Sequence, residues 1–381
     1  MSLIAGAAMV MPDGVVEDGW LDVEHGRIAA TGTGEPPREP DHRFDGHWLV
    51  PGFVDMHSHG GGGARVTGAD PEDVGTFVAT HRMHGTTSLV ASLVSGPIDE
   101  IDHDVRALAD MVDEGLIAGV HLEGPWISPV RKGAHDESVL GAPDPAVVDK
   151  LLHAGRGTVR MVTLAPELDH GLDAVRAVVG AGAAAAVGHT DATYEVVSQA
   201  IEAGARVATH LFNAMAPVHH RAPGPIVALL EDERVTVELI LDGAHLHPAI
   251  AAHVRASAGP QRIALVTDAM GAAGVGDGDY MLGDMEVRVT DGVARLVEGG
   301  SIAGSTLTMD AAFRFAVQQA GFSLPDAVAA TSANPARVLG IDDHVGTLAV
   351  GKLADAVVLD ADLRVAAVLH RGTWVRSGPV E

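Results

Sequence analysis

The chain has 381 residues, no cysteine and a formal net charge of −26, from 51 acidic against 25 basic side chains. Without cysteine neither a disulfide framework nor a thiolate metal site can form, which leaves His and carboxylates as metal ligands, a set suited to Zn, Fe, Mn or Co. The acidic balance and an aromatic content of 3% exclude the basic, ring-lined surface that nucleic acids need, and any anionic substrate must be met by locally placed Arg or His.

Residues 1–50 read as all-β: LIAGAAMVM, GWLDVEHGRIAATG and FDGHWLV are separated by Asp-Gly and Gly-rich turns. The N-terminus has no basic region ahead of an apolar run, and the Ala/Gly-rich stretch 178–188 is too short to span a bilayer, so the chain reads as soluble and cytoplasmic. The middle then alternates strand and helix. Strands are expected at 50–56, 86–94, 117–123, 159–165, 183–188, 206–211, 235–241 and 262–267. Amphipathic or Ala-rich stretches such as 71–83, 98–114, 145–153, 172–181 and 194–203 lie between them. Eight strands alternating with helices predict a (β/α)8 barrel of the TIM type over 51–344. Residues 280–298 read as a β-hairpin excursion with Asp291-Gly292 as its turn, and helices after 309 close the barrel. The segment 345–381 is β-rich again, so the two ends are expected to meet as a small β-sandwich domain.

Five apolar runs end in groups that bind metals or move protons. WLVPGFVDMHSH ends in His57 and His59, IAGVHLEGP in Glu123, AAAAVGHTD in His189, ARVATHLFNAM in His210 and RIALVTDAM in Asp268. His57 and His59, at i and i+2 of an extended segment, leave the same face and suit two ligands on one ion. Singly, Glu123 reads as a turn carboxylate, and His189 and His210 as satisfied buried rings. Their shared place at strand ends, where a parallel barrel builds its site, favours a metal centre. Asp268 precedes Gly271, Gly274, Gly276 and Gly278 rather than a helical pattern, so it suits acid–base work more than helix capping. His121 shares a strand face with Glu123 and reads as packed in the barrel, and Glu167 as a support at the end of strand four.

PGFVDMHSHG and GTLAVGKLADAVVLD resemble the opening and closing segments of the amidohydrolase superfamily. HLEGPWIS, KGAH, GHTDA, HLFNAM, DGAHLHP, VTDAM and IAGSTLTM resemble, in order, the motifs of its N-acetylglucosamine-6-phosphate deacetylases. The resemblance covers nearly the whole chain. It implies a metal site on Glu123, His189 and His210, with Asp268 as the catalytic aspartate and His135 polarising the acetamido carbonyl. It further implies substrate contacts from Ala134, Asn213, Ala214 and His245, an N-acetyl pocket along Ile302, Ala303 and Gly304, and phosphate binding by Arg221, which in this family reaches in from a neighbouring subunit. A homodimer is therefore expected. The fourth strand, VRMVTLAPE, has no lysine to bridge two metals, so Glu123 would be the shared ligand and His57 with His59 would hold a second ion.

One or two divalent ions per subunit are expected, with Zn first and Fe, Mn or Co as alternatives. The implied reaction is hydrolysis of N-acetyl-D-glucosamine 6-phosphate to D-glucosamine 6-phosphate and acetate. Asp268 would deprotonate the attacking water and then protonate the leaving amine. The rival readings are the N-acetylgalactosamine epimer, another amide substrate (a cyclic amide, a nucleobase or an N-acyl amino acid), and a non-catalytic barrel scaffold. The scaffold would have lost ligands or Asp268, and this chain has lost none. Residues 125–139 read as the loop that follows the third strand.

Overall fold

The computed structural model describes residues 1–376. Short Val-, Leu- and Ala-rich runs, each ended by a turn and followed by a stretch with one apolar face, build eight parallel strands in sequential order. They are β1 (Phe53–Asp55), β2 (Thr86–Leu93), β3 (Gly119–Glu123), β4 (Val159–Leu164), β5 (Ala184–Val187), β6 (Val207–Ala208), β7 (Thr236–Leu239) and β8 (Ile263–Leu265). Around them lie α1 (Pro71–Met83), α2 (Ile98–Asp113), α3 (Pro145–Ala154), α4 (Gly171–Gly180), α5 (Tyr194–Ala203), α6 (Gly224–Glu231), α7 (Pro248–Ala258) and α8 (Met309–Gln318). Nearly every strand position is buried, as expected of a sheet with side chains on its inside and helices on its outside. Among the described residues no helix is long and apolar enough to cross a membrane.

The seam between β8 and β1 is closed largely by polar bonds. The Asp268 N–H donates to the His57 carbonyl at 2.9 Å, and the buried Asp55 carboxylate accepts from Thr267 Oγ1 at 2.6 Å. Burial pushes the Asp55 carboxyl up to about 7 against these bonds. Near the start of both strands, Phe53 stacks on Phe313 of α8 with ring centroids 5.6 Å apart.

One apolar run serves two sheets. The strand expected over 50–56 divides at Pro51-Gly52, its first residues belonging to Trp48–Pro51 and the rest to β1. Proline has no N–H to continue a ladder. Gly52 in turn lies so close to Thr87 that a Cβ there would stand 2.1 Å from its Oγ1. The first half joins a sheet made by both chain ends. In order it contains Thr373–Arg376, Val365–His370, Ala356–Leu359, Trp48–Pro51, Ser2–Met11, Gly14–Glu24 and Arg27–Thr33, with His42–Arg43 beside Ser2–Met11. Two register shifts in Ser2–Met11 interrupt its pairing, as bulges do where a sheet bends. Ile4, Met9, Leu21, Leu49, Val358 and Leu369 share a core there, apart from that of the barrel. Of the expected C-terminal segment 345–381, residues 377–381 lie outside the described residues.

The excursion after β8 has one strand more than a hairpin. Gly278–Leu282, Met285–Thr290 and Val293–Leu296 form an antiparallel three-stranded sheet. Its second turn is Asp291-Gly292, with φ 51° and 75°, the positive values that a two-residue hairpin turn requires. Leu282, Val287, Val289 and Ala294 pack on Val94, Ala134, Met270 and Ala303, which seats this sheet over the strand ends.

Candidate metal centre

The centre lies at the C-terminal ends of the barrel strands, where successive β-runs deliver polar groups into an apolar wall. Three of those groups sit on left-handed backbone: φ is 47° at His189, 25° at His210 and 47° at Asp268. Such a conformation is costly for a residue with a side chain and persists where the surroundings over-determine it. Here, close packing helps to force the turn. A Cβ on Gly188 would meet Thr209 Cβ at 2.6 Å, and one on Gly304 would meet the Asp268 carbonyl oxygen at 2.9 Å.

Glu123, at the end of β3, is the shared member. Its Oε1 lies 3.1 Å from His189 Nε2 and 3.0 Å from His210 Nε2, and its Oε2 lies 3.2 Å from His59 Nε2. His57 Nε2 is 3.5 Å from Glu123 and 3.6 Å from Asp268 Oδ1, which is itself 3.3 Å from His59 Nε2. His57, His59 and Glu123 therefore form one group of converging donors, and Glu123, His189 and His210 form a second. All five residues are buried.

The far sides of the rings show which nitrogens point inward. His57 Nδ1 is 3.1 Å from Glu238 Oε2, His59 Nδ1 is 3.0 Å from the Ser92 carbonyl and His189 Nδ1 is 3.0 Å from the Arg131 carbonyl. Carboxylate and carbonyl oxygens only accept, so each Nδ1 carries the proton, and in the neutral ring Nε2 presents its lone pair. The facing Nε2 atoms of His57 and His59 are 3.1 Å apart, and so are those of His189 and His210. Lone pairs at that distance repel unless positive charge joins them. A His–carboxylate set with its ring tautomers held by outer acceptors fits a divalent cation at either position.

The electrostatics agree in sign. Burial pulls His57 down, but the Glu123, Glu238 and Asp268 charges outweigh it and hold the ring well above its ordinary value. His59 is likewise drawn down by burial, yet Asp268 and Glu123 bring it up to about 9. Asp268 is the converse case: burial would raise its carboxyl, and the His57 charge and His59 hydrogen bond hold it well below the usual range. Burial lowers the His189 ring to about 4, leaving it neutral. The pocket thus carries a negative potential, with Asp268 ionised inside it.

A cavity opens above these groups. Ala134, His135, Asn213, Ala214, His245, Ile302 and Gly304 line it, together with His59, Glu123, His189, His210 and Asp268. The His135 ring is placed by Ser95, whose N–H donates to Nδ1 at 3.3 Å and whose Oγ lies 2.8 Å from the same atom. A backbone N–H can only donate, so Nδ1 is the acceptor and Nε2 carries the proton. That N–H faces the centre, 3.5 Å from Glu123 Oε2. His245 is oriented by Asp242, with 2.6 Å from Nδ1 to Oδ2. Ala303, by contrast, is fully buried beneath the three-stranded sheet, and Arg221 is exposed on the loop before α6, where its guanidinium meets His220 at 2.7 Å and does not line this cavity.

Some contributors were not foreseen. Glu238 is a carboxylate inside the apolar run VTVELIL, and that mismatch was a readable signal. Ser92 and Ser95 gave none, since a serine near a strand end is commonplace. His121, expected inside the barrel, is buried with its ring bridging Ser92 Oγ at 3.0 Å and Thr163 Oγ1 at 2.9 Å. Glu167 accepts from Thr190 Oγ1 at 2.6 Å and from the Asp191 N–H at 2.7 Å, which fixes the loop that follows His189.

Residues 48–375 match the amidohydrolase family. Among solved structures, the chain is similar to the N-acetyl-D-glucosamine-6-phosphate deacetylase of Mycobacterium smegmatis, at 47% identity and a TM-score of 0.96 over 99% of each chain. It is 37% identical to the N-acetylgalactosamine-6-phosphate deacetylase of Escherichia coli O157:H7, over 94% of this chain and 96% of that one. It is 35% identical to the N-acetylglucosamine-6-phosphate deacetylase of Bacillus subtilis, over 97% of this chain and 96% of the relative.

Proposed function

The chain belongs to the amidohydrolase family, and on that footing we propose that it hydrolyses the acetamido group of N-acetyl-D-glucosamine 6-phosphate to give D-glucosamine 6-phosphate and acetate. The observation that carries this reading is the pairing of an ionised Asp268 with two His–carboxylate groups and the inward N–H of His135, all facing one cavity.

A divalent ion held by Glu123, His189 and His210, with a second on His57, His59 and Glu123, would supply Lewis acidity toward the acetamide carbonyl and ease deprotonation of water. The ion we favour is Zn, with Fe, Mn or Co as alternatives. The chain's own groups do the rest. Asp268, kept ionised, accepts a proton from the attacking water and later delivers it to the leaving amine. The His135 Nε2–H donates to the carbonyl oxygen as negative charge develops there, and Ser95 holds the ring in the tautomer this needs. His245, Asn213 and Ala214 line the sugar side, and Ile302 and Gly304 the N-acetyl side.

The same reading assigns Arg221 to the phosphate of a neighbouring subunit's substrate, in a cytoplasmic homodimer. Its exposure and its distance from its own cavity support a role in trans. Residues 51–344 would form the catalytic domain and 1–50 with 345–381 the small β domain. A second reading, the galactosamine epimer, is favoured by the similarity to the Escherichia coli N-acetylgalactosamine-6-phosphate deacetylase.

Acetate release should be measured with N-acetylglucosamine 6-phosphate, N-acetylgalactosamine 6-phosphate and unphosphorylated N-acetylglucosamine, alongside metal analysis. The glucosamine epimer should have the highest kcat/KM, and a higher value for the galacto epimer would favour the second reading. Arg221→Ala should raise KM for the phosphorylated sugar at least tenfold more than for the unphosphorylated one. Equal losses on both would remove Arg221 from phosphate recognition.

A further inference from the structure

Glu238 is wholly buried near the end of β7, in an otherwise apolar strand. A carboxylate there is expensive unless something answers its charge. Its two hydrogen-bond donors are a ring N–H and a backbone N–H, and both go to the same oxygen. The His57 Nδ1–H donates to Oε2 at 3.1 Å and the His210 backbone N–H donates to Oε2 at 3.0 Å. The other oxygen, Oε1, has no partner. The two donors belong to different groups of converging ligands, His57 to one and His210 to the other.

His210 differs from His57, His59 and His189 in that its ring Nδ1 finds no acceptor. Its ring is not fixed from behind, so its place depends on its backbone. That backbone is in a left-handed conformation, φ 25°, and its N–H is tied to Glu238. The Glu238 carbonyl in turn accepts from the next residue, with the Leu211 N–H at 2.9 Å. One residue therefore sets the tautomer of a ligand at the end of β1 and the backbone of a ligand at the end of β6.

We propose that Glu238 is a positioning residue that braces His57 and His210 together and so couples the two metal positions. The inference rests on the metal-centre reading above and goes beyond it in assigning the brace. A divalent ion held by His57, His59 and Glu123 would answer the Glu238 carboxylate through the His57 imidazole, as in carboxylate–histidine–metal relays. Changing such an outer partner typically costs about 10–100-fold in metal affinity.

The test compares wild type, Glu238→Gln and Glu238→Met as folded proteins, matched by circular dichroism. Zinc stoichiometry and affinity are read by chelator competition, and the histidine ring protons by NMR on 15N-histidine-labelled protein, with His57→Asn used for assignment. In the wild type the His57 Nδ1 proton should exchange slowly with solvent. Glu238→Gln keeps an oxygen that can accept both bonds, so it should keep that proton and most of the affinity. Glu238→Met should lose the proton and weaken the zinc that His57→Asn also removes by about 10–100-fold. Retention of the proton and of both affinities in Glu238→Met would overturn the brace, as would equal losses in the two variants. If Glu238→Met does not fold, a freely exchanging His57 proton in the wild type overturns it without any variant. A wild type that binds one zinc, unaffected by His57→Asn, sinks the two-position reading instead, and the ring proton still decides the role of Glu238.

Discussion

Asp268 is held by its backbone before its carboxylate does anything. Its N–H donates to the His57 carbonyl and its carbonyl accepts from the Ser305 N–H at 2.7 Å, so the left-handed turn at φ 47° is clamped from both sides. Replacing the carboxylate by an amide leaves those backbone bonds in place and removes the negative charge that faces His57 and His59. Asp268→Asn should therefore lower kcat by about 10²–10⁴-fold, the usual worth of a positioned acid–base group, with metal content unchanged on elemental analysis. A lost metal would recast Asp268 as a ligand. At this scale the sequence was informative wherever a polar residue ended an apolar run, as at Glu123 and Asp268. It was silent about Ser95, whose relevance arises only because the loop 125–139 brings His135 back to within 2.8 Å of it.

Elements carry the second kind of information. Helix α1 starts where Asp70 accepts from the Glu72 N–H at 2.9 Å and the Asp73 N–H at 3.2 Å, with Pro71 at the first helical position. These are local signals, and helix starts of this sort are readable from sequence. Asp70→Ala should cost about 1 kcal/mol, seen as a lower denaturation midpoint with kcat unchanged, since the cap lies on the outer layer. Strand limits were less readable. The run ARVATHLFNAM suggested a strand over 206–211, yet β6 is only Val207–Ala208. His210 and Phe212 turn left-handed there and leave the ladder. There the His210 N–H bonds to the Glu238 carboxylate at 3.0 Å, and this tertiary contact overrides the β propensity of the run.

At the scale of the whole molecule, buried ionisable groups set the response to acid. His81 on α1 is fully buried, with Nε2 2.9 Å from the Gly60 carbonyl, and burial lowers its ring to about 4. Its value in the fold lies below the ordinary 6.5, so the unfolded chain takes up the proton more readily. The stability associated with the neutral ring is then complete above pH 6.5 and is lost as pH falls from there toward 4, by up to about 3 kcal/mol. Denaturant midpoints at pH 7.5 and 5 should differ in the wild type, and the gap should narrow in His81→Leu. An unchanged gap would show that other groups govern the acid limb.

The alternation of eight apolar runs with helical stretches was enough, by itself, to specify a parallel barrel, because strand and helix periods are local properties of the chain. The convergence of His57, His59, Glu123, His189 and His210 was legible for the same reason: a barrel of this kind places every such run end on one rim. What the sequence could not supply was distance between segments far apart in the chain. Only the closed barrel brings Glu238 to His57 across 181 residues, divides WLVPGFVD between two sheets, and sets Glu123 between two pairs of rings. Those contacts depend on strand stagger and on close packing at Gly52, Gly188 and Gly304, where space and not residue type decides the outcome.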